Sequence, residues 1–169
     1  MIPFLLSCLL AVAPVAPDGG TVVVKGQKFM AEVARTMEEQ RLGLMHRQFL
    51  AKDRCMIFIY TQEDFRSIWM KNCLISLDVA WVKEDGAIVD LAENVPPCSP
   101  MKGDDCPTYG GAVTSRHFVE FPVGTFKRLG IHKGDKLGWN LTLSDGTKVV
   151  GGLAVPADGP RGRKTRKKG

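Results

Sequence analysis

The chain has 169 residues, 44% hydrophobic and 24% charged, which is the composition of a single globular domain. Its formal net charge of +5 is concentrated at one end, because residues 161–169 carry six of the 23 Lys and Arg residues and none of the 18 acidic ones. Without that segment 17 basic groups stand against 18 acidic groups, so the body is near neutral and we expect no nucleic-acid partner.

The first twenty residues predict an export segment. Ile2 to Val12 is almost wholly apolar and gives way to Ala, Pro and Gly, as in a signal peptide. The run is shorter than the roughly 20 apolar residues that span a bilayer. We therefore expect an exported protein, periplasmic or extracellular; the alternative is a buried N-terminal segment of a cytosolic protein. Only seven residues precede Cys8, so we expect no lipoprotein anchor there, despite its Leu-Ser-Cys context.

Eight short apolar runs in the rest of the chain predict strands. In chain order they are Thr21–Val24, Phe29–Val33, Met56–Tyr60, Leu77–Val82, Ala87–Leu91, Val113–Phe121, Leu137–Leu143 and Lys148–Val155. Asp-Gly pairs at residues 85–86 and 145–146 predict hairpins, because Gly tolerates a positive φ. Thr125–Leu129 fits one helical turn.

One helix is predicted between the second and third strands, over Met37–Arg47. Thr36 and Glu39 form the pattern of a capping box, in which a hydroxyl and a carboxylate accept hydrogen bonds from the free amides of a helix start. Its apolar face is expected to hold Leu42, Met45 and Phe49.

Together these elements predict a mainly β (α+β) fold. We expect a small β-barrel or sandwich-like domain of about seven or eight short strands, with one short capped helix, over residues 21–156. Residues 157–169 are polar and basic, so we expect a disordered tail there. Nothing in the pattern indicates more than one copy, and we expect a monomer.

The cysteines indicate a disulfide. Four remain after the export segment, and an even number in an exported chain favours pairing. Cys98 and Cys106 bracket a loop rich in Pro, Gly and Asp, and closing it would contribute roughly 2–3 kcal/mol. The three His residues are scattered and the Cys spacing does not suit zinc, so we expect neither a metal nor another cofactor.

Residues 32–137 resemble the domain of unknown function 192 family. The matching segments are residues 32–36, Arg41-Leu42-Gly43-Leu44-Met45, residues 55–58, Trp69-Met70-Lys71-Asn72, Leu77-Asp78, residues 85–89, Pro96-Pro97, Val119-Glu120 and Gly134-Asp135. The resemblance implies a compact β-barrel-like fold with a short helix, often exported, and implies no established activity. Two departures from the commoner pattern, Cys55 for Gly and Cys73 for Thr, suggest that these side chains touch. A Cys55–Cys73 disulfide is thus a weaker companion prediction, and two buried free thiols are the alternative.

The densest group of candidate site residues lies around the sequence Trp-Met-Lys-Asn. We predict a polar concavity, suited to a sugar or a carboxylate, that is lined or braced by Trp69, Lys71, Asn72, Asp78 and, nearby, Arg41. The alternative is structural. In it Trp69 fills the core, Asn72 and Asp78 bind loop backbone, and Lys71 is solvated or paired with an acid. Arg41 then pairs with an acid such as Asp78 or Glu120.

No catalytic residues are predicted, because the chain has neither a Gly-x-Ser-x-Gly motif nor a Gly-rich phosphate loop. The leading interpretation is a non-catalytic binding or accessory module of the cell envelope with a small polar-ligand site. The first alternative is an enzyme of modest activity on envelope polymers that uses Glu120 or Asp78 as acid or base. The second is a structural or assembly protein tethered by its basic tail to an anionic envelope surface.

Overall fold

The structure, a computed structural model, describes residues 17–153. Its strands are β1 (Gly19–Val24), β2 (Gln27–Ala34), β3 (Arg54–Phe58), β4 (Asp64–Trp69), β5 (Leu77–Val82), β6 (Ile88–Val95), β7 (Thr108–Ser115), β8 (His117–Pro122), β9 (Leu137–Thr142) and β10 (Lys148–Gly152). Two short helices, α1 (Met37–Leu42) and α2 (Thr125–Leu129), and a 3-10 turn at Pro100–Lys102 complete the described elements. The mainly β fold is confirmed, with ten strands in this part of the chain. Most of the predicted export segment, Cys8 included, and the predicted tail lie outside the described residues.

Eight strands form one curled sheet in the order β10-β9-β1-β2-β3-β8-β5-β6, in which only the β2–β3 pair is parallel. The start of β6 meets the start of β9 through a bridge between Ala87 and Lys136. The amide of Leu137 also donates to the carbonyl of Gly86 over 3.0 Å. The sheet is therefore a half-barrel whose ends meet at one corner.

The sheet carries an apolar core on each face, and β8 shows how alternation separates them. Val119 and Phe121 point into the curl, where they join Phe29 and Trp139 in the inner core. Phe118 points the other way, into a second cluster that we call the outer core. α2 adds Phe126 to the inner core. The outer core is covered by the loop after α1, which buries Leu44, and by a separate ribbon of β4 and β7. α1 itself buries no side chain.

The ribbon lies directly on the outer core. Gly110 of β7 has a φ of 78°, and a Cβ atom there would stand 2.3 Å from the ring of Trp81. Only glycine allows this approach. The strand predicted at Val113–Phe121 is thus two strands, because the chain leaves the ribbon and enters the half-barrel at Arg116, whose amide donates to the carbonyl of Val82 over 2.8 Å. β4 was not predicted from the sequence.

The capping box is confirmed, since Thr36 Oγ1 accepts from the Glu39 amide and the Glu39 carboxylate accepts from the Thr36 amide. The predicted helix end was wrong. α1 stops at Leu42 because Gly43 adopts φ 46° and ψ −130°. The predicted apolar face is lost with it, and Leu44 is buried in place of the exposed Leu42 and Phe49.

The Cys98–Cys106 disulfide is confirmed, with its Cα atoms 5.7 Å apart. The Cys55–Cys73 disulfide was wrong. Both thiols are free and buried, Cys55 in the inner core and Cys73 in the outer core, so the sheet separates them. They pack as small apolar groups, which was the alternative interpretation.

Candidate functional site

A cleft of about 130 Å³ opens above the outer core, between α1 and the β4–β7 ribbon. It is lined by residues 40–45 on one side, by residues 67–69 on the other, and by side chains of β3 and β8. Phe58 of β3 and Phe118 of β8 stack with ring centroids 4.2 Å apart, which gives the lining an apolar surface. Beside them lies Glu120, and we call this space the Glu120 cleft.

Glu120 is an acid placed in an apolar strand. Its neighbours across the sheet are Met56 on β3 and Val79 on β5, and it is only 7% exposed. Its Oε2 atom is buried and has no hydrogen-bond partner among the described residues. Burial disfavours the charged form and raises the pKa of Glu120 to about 8. At neutral pH the group is therefore mostly a neutral carboxylic acid, with one proton to donate.

Arg41 lies in the last turn of α1 and lines the same cleft. It makes no ion pair with any described residue, in contrast to two nearby arginines. Arg35 pairs with Asp18 at 2.5 Å, and Arg47 forks onto both carboxylate oxygens of Glu32 at 2.9 and 2.6 Å. The expected pairing of Arg41 with Asp78 or Glu120 is thus not formed. An exposed guanidinium at the cleft is left with its donors free for an anion.

Trp69 ends β4 and lines the cleft from the ribbon side. It is 39% exposed, so it does not fill the core as the structural interpretation expected. The Nζ atom of Lys71 lies 5.2 Å from its ring centroid and pairs with Asp104 in the disulfide loop. Lys71 therefore faces a neighbouring cavity, of about 420 Å³, that it lines together with Asn72 and the Cys98–Cys106 disulfide.

Asn72 has a structural role in the turn after β4. Its φ is 56°, in the left-handed region that Asn tolerates better than most residues. Its carbonyl accepts from the amide of His46 over 2.8 Å, and its Nδ2 atom contacts Met45 Sδ at 3.9 Å. Asn72 thus joins this turn to the loop after α1, and both segments line the two cavities.

Asp78 lies in β5, away from both cavities, and the structure corrects its assignment to the concavity. It is 1% exposed. Its Oδ1 atom accepts from the amide of Asn94 and its Oδ2 atom from the amide of Phe126, both over 2.9 Å. Both oxygens are thereby committed to backbone, so Asp78 braces the fold, as the structural alternative proposed.

The structure therefore divides the predicted cluster. Arg41 and Trp69 line the Glu120 cleft, and Lys71 and Asn72 line the neighbouring cavity. Asp78 lines neither of them. The sequence had marked Glu120 as a candidate acid and as one expected ion-pair partner of Arg41. It had not placed Glu120 and Trp69 in one cleft, because no spacing connects residues from separate elements.

Two further lining residues, Tyr60 and Cys73, were missed by the sequence interpretation. Burial raises the pKa of the Tyr60 phenol, and raises that of the Cys73 thiol to about 12, with a smaller contribution from Glu120 in both cases. Both groups are thus neutral at pH 7. Among the described residues, Arg41 is then the one charged group of the cleft lining whenever Glu120 is protonated.

Within residues 17–153 no three His, Cys, Asp or Glu residues are grouped to hold a metal ion, and no helix is long and apolar enough to cross a membrane.

The sequence profile of the family DUF192, described as "Uncharacterized ACR", matches residues 20–139. No curated protein matches the chain significantly.

Two crystal structures are similar to this chain. One is a protein of unknown function from Novosphingobium aromaticivorans, 34% identical, with a TM-score of 0.66 over 76% of this chain and 91% of that one. The other, from Sinorhizobium meliloti, carries the provisional name of a transcription regulator. It is 26% identical, with a TM-score of 0.64 over 76% of this chain and 97% of that one.

Proposed function

The chain belongs to the DUF192 family, and we propose that it is an exported, non-catalytic binding module of the cell envelope that takes a small polar ligand in the Glu120 cleft. The proposal joins the predicted export segment to the one described cleft in which a buried acid, an unpaired arginine and an exposed tryptophan meet.

One observation carries the binding role. Buried polar atoms in folded proteins are almost always hydrogen-bonded, and leaving one unpaired costs about 1–3 kcal/mol. Glu120 Oε2 has no partner among the described residues, although it lies in a cleft that also holds the free guanidinium of Arg41. A ligand that pairs with both groups recovers this cost on binding. Asp78, by contrast, is fully bonded and has nothing to offer a ligand.

The binding role is tested by native mass spectrometry of protein that is expressed with its export segment and purified gently. We expect a bound small molecule that is lost in Arg41→Gln and kept in Arg128→Gln. Arg128 is a suitable control because it is also exposed and lies on the other helix. A bound molecule retained equally by both variants would place the ligand elsewhere.

Export is supported by the apolar run at Ile2 to Val12 and by the Cys98–Cys106 disulfide, since disulfides persist in oxidising compartments. In a bacterial host, the chain with residues 1–20 should enter the periplasmic fraction and lose its first residues, while a chain that starts at residue 21 should stay in the cytosol. Retention of both chains in the cytosol would contradict export.

A second candidate is an enzyme that uses Glu120 as a general acid, because a pKa of about 8 keeps its proton available at neutral pH. Catalysis of this kind normally uses a second titratable group beside the first. The other such groups of the described lining, Tyr60 and Cys73, are kept neutral by raised pKa values, and no second carboxylate lies there to act as a base. This favours binding over catalysis. Turnover of an envelope polymer that disappears in Glu120→Gln would reverse this preference.

The basic residues 161–169 add a proposed contact with an anionic envelope surface, in which each Lys or Arg is worth about 1 kcal/mol near anionic lipid. Binding to anionic vesicles should then weaken as the salt concentration rises and should need the segment after Pro160.

A role in transcription regulation, which the name of the Sinorhizobium meliloti protein suggests for that protein, is not favoured for this chain, because residues 1–160 are near neutral in net charge.

A further inference from the structure

We propose that the Glu120 cleft binds the carboxylate end of a small organic acid, with Arg41 and the Glu120 carboxyl group both donating hydrogen bonds to it. The inference rests on the proposed binding function and names the class of ligand.

The charges of the cleft favour an anion. From α1 the cleft receives Arg41, from the segment after β3 it receives Tyr60, and from the turn after β4 it receives Cys73. Directly opposite Glu120 across the sheet stand Met56 of β3 and Val79 of β5, both apolar.

Three other described cations lie against lining residues. Arg66 of β4 is stacked on the Tyr60 ring at 3.5 Å and donates to the carbonyl of Gln62, although its Nε atom has no partner among the described residues. Arg116 and Lys71 are paired with Glu84 and Asp104. The described lining therefore holds one unpaired positive charge, Arg41, and no fixed negative one, which favours an anionic ligand over a cationic one.

The two donors suit a carboxylate in particular. A guanidinium forks onto the two oxygens of a carboxylate, and a protonated carboxyl group donates a short hydrogen bond to an ionised oxygen. Glu120 is held neutral by its apolar neighbours and not by an internal hydrogen bond to Oε2, so its proton is free to be shared. A carboxylate near Glu120 in its ionised form would instead meet a like charge.

The size and walls of the cleft set the rest of the ligand. A volume of about 130 Å³ is close to the roughly 150 Å³ of an engineered protein cavity that holds one benzene molecule, so a carboxylate with two or three further carbon atoms fits. The stacked rings of Phe58 and Phe118 give those carbons an apolar surface. A longer ligand would leave the cleft past the exposed ring of Trp69. The acid is therefore either a short free carboxylate or the carboxyl end of a longer chain.

The binding test is a titration of the isotope-labelled chain, followed by NMR chemical shifts at pH 6.5, with butyrate, butyramide and inorganic phosphate at matched ionic strength. We expect saturable shifts with butyrate, centred on the Trp69 indole and the Gly43 amide, and none with butyramide or phosphate. Arg41→Gln should weaken butyrate binding at least tenfold, whereas Arg128→Gln should leave it unchanged. A tetra-alanine peptide separates the two sources of the carboxylate, a short free acid and the carboxyl end of a longer chain. Binding of the peptide with a free C-terminus, but not of its amidated form, indicates the longer chain.

The role of Glu120 is tested by pH. Butyrate affinity should fall about tenfold between pH 7 and 9, as Glu120 loses its proton. Glu120→Gln keeps a neutral hydrogen-bond donor at the same place, so it should still bind butyrate and should show no such fall. If butyrate affinity fell as steeply with pH in Glu120→Gln as in the wild type, Glu120 would not be the group whose proton the ligand needs.

Equal binding of butyrate and butyramide, or butyrate binding that Arg41→Gln does not weaken, overturns the carboxylate class. The broader proposal is tested separately by the ligand recovered by native mass spectrometry. A neutral polyol recovered there, and lost in Arg41→Gln, would refute the carboxylate while leaving the binding function standing. If Glu120→Gln fails to fold, the Arg41 and Arg128 variants still decide the ligand class, because both residues are exposed.

Discussion

At the scale of single residues, β8 carries two titratable side chains that burial keeps neutral. Glu120 faces the outer core with a pKa of about 8, and His117 is 3% exposed with a pKa of about 4. His117 Nδ1 accepts from the amide of Tyr60 over 3.2 Å, and its ring meets Trp139 edge-on at 5.2 Å. Glu84 lies 3.8 Å from Nε2 but is mostly exposed, so water screens its charge and burial dominates the pKa of His117.

We predict that Glu120 lowers the free energy of unfolding at high pH. Its folded pKa, about 8, lies above the ordinary 4.5, so the folded state holds more protons than the unfolded state between those values. Stability therefore falls as pH rises through this window, by on the order of 4 kcal/mol in total. Urea unfolding between pH 5 and 9 should show wild type losing stability relative to Glu120→Gln. Parallel curves for the two proteins would show that Glu120 is ionised in the fold.

We predict the opposite slope from His117. Its folded pKa, about 4, lies below the ordinary 6.5, so its contribution is complete above pH 6.5 and is lost as pH falls toward 4. The loss should be on the order of 3 kcal/mol. His117→Gln, which cannot take up a proton, should flatten the acid limb of the same unfolding curves. An unchanged acid limb in that variant would assign the sensitivity to other groups.

At the scale of elements, one carboxylate holds three of them together. Asp78 stands in β5, accepts from Asn94 in β6, where φ is 50°, and accepts from Phe126 in the first turn of α2. The Asn94 and Phe126 amides have no ladder partner of their own at these positions, because β6 is irregular there and a helix start has free amides. Asp78 thus fixes the position of α2 against the end of β5.

We predict that Asp78→Ala destabilises the fold by about 3 kcal/mol, since it leaves the buried amide of Phe126 and the part-buried amide of Asn94 without an acceptor. Asp78→Asn, which keeps one acceptor oxygen, should cost less. Arg41→Ala should change the free energy of unfolding by less than about 0.5 kcal/mol, because its side chain is exposed and unpaired. Denaturant unfolding of the three variants checks the order. An Arg41 variant as damaged as Asp78→Ala would restore Arg41 to a bracing role.

The element scale also shows how far the sequence predicts this protein. Both Asp-Gly hairpins, the capping box of α1 and the strand at Leu77–Val82 follow from local chemistry, and the structure has them. The end of α1 does not, because a Gly inside a helical pattern costs only about 1 kcal/mol and tertiary packing decides whether the helix continues. The candidate site was divided for the same reason. Trp69 reaches the cleft of Arg41 and Glu120 through a ribbon whose strands pair residues about 40 to 50 positions apart.

At the scale of the whole molecule, one curled sheet separates two cores, and each has its own cover. The inner core is closed by the curl and by α2, whereas the outer core depends on the loop after α1 and on the ribbon, which has two strands. A two-stranded ribbon is marginal by itself, so it needs the outer core and a covalent link to stay in place. The Cys98–Cys106 disulfide closes the loop that leads into β7 and tightens this cover beside the cleft.

We predict that this disulfide, and no other, forms among Cys55, Cys73, Cys98 and Cys106 when the protein comes from an oxidising compartment. Differential alkylation and non-reducing peptide mapping should show Cys98 linked to Cys106. Cys55 and Cys73 should react only after unfolding, because burial raises the pKa of both thiols. Reduction should lower the free energy of unfolding by roughly 2–3 kcal/mol, which is the loop-closure value for two cysteines separated by 8 positions in the sequence. The disulfide loop lines the cavity next to the Glu120 cleft, and its Asp104 pairs with Lys71, which lies against the Trp69 ring of the cleft. Reduction should therefore also weaken butyrate binding, whereas Cys55→Ser, in the other core, should not. Butyrate affinity that is identical in the oxidised and reduced proteins would show that the cleft is held by α1 and β4 alone.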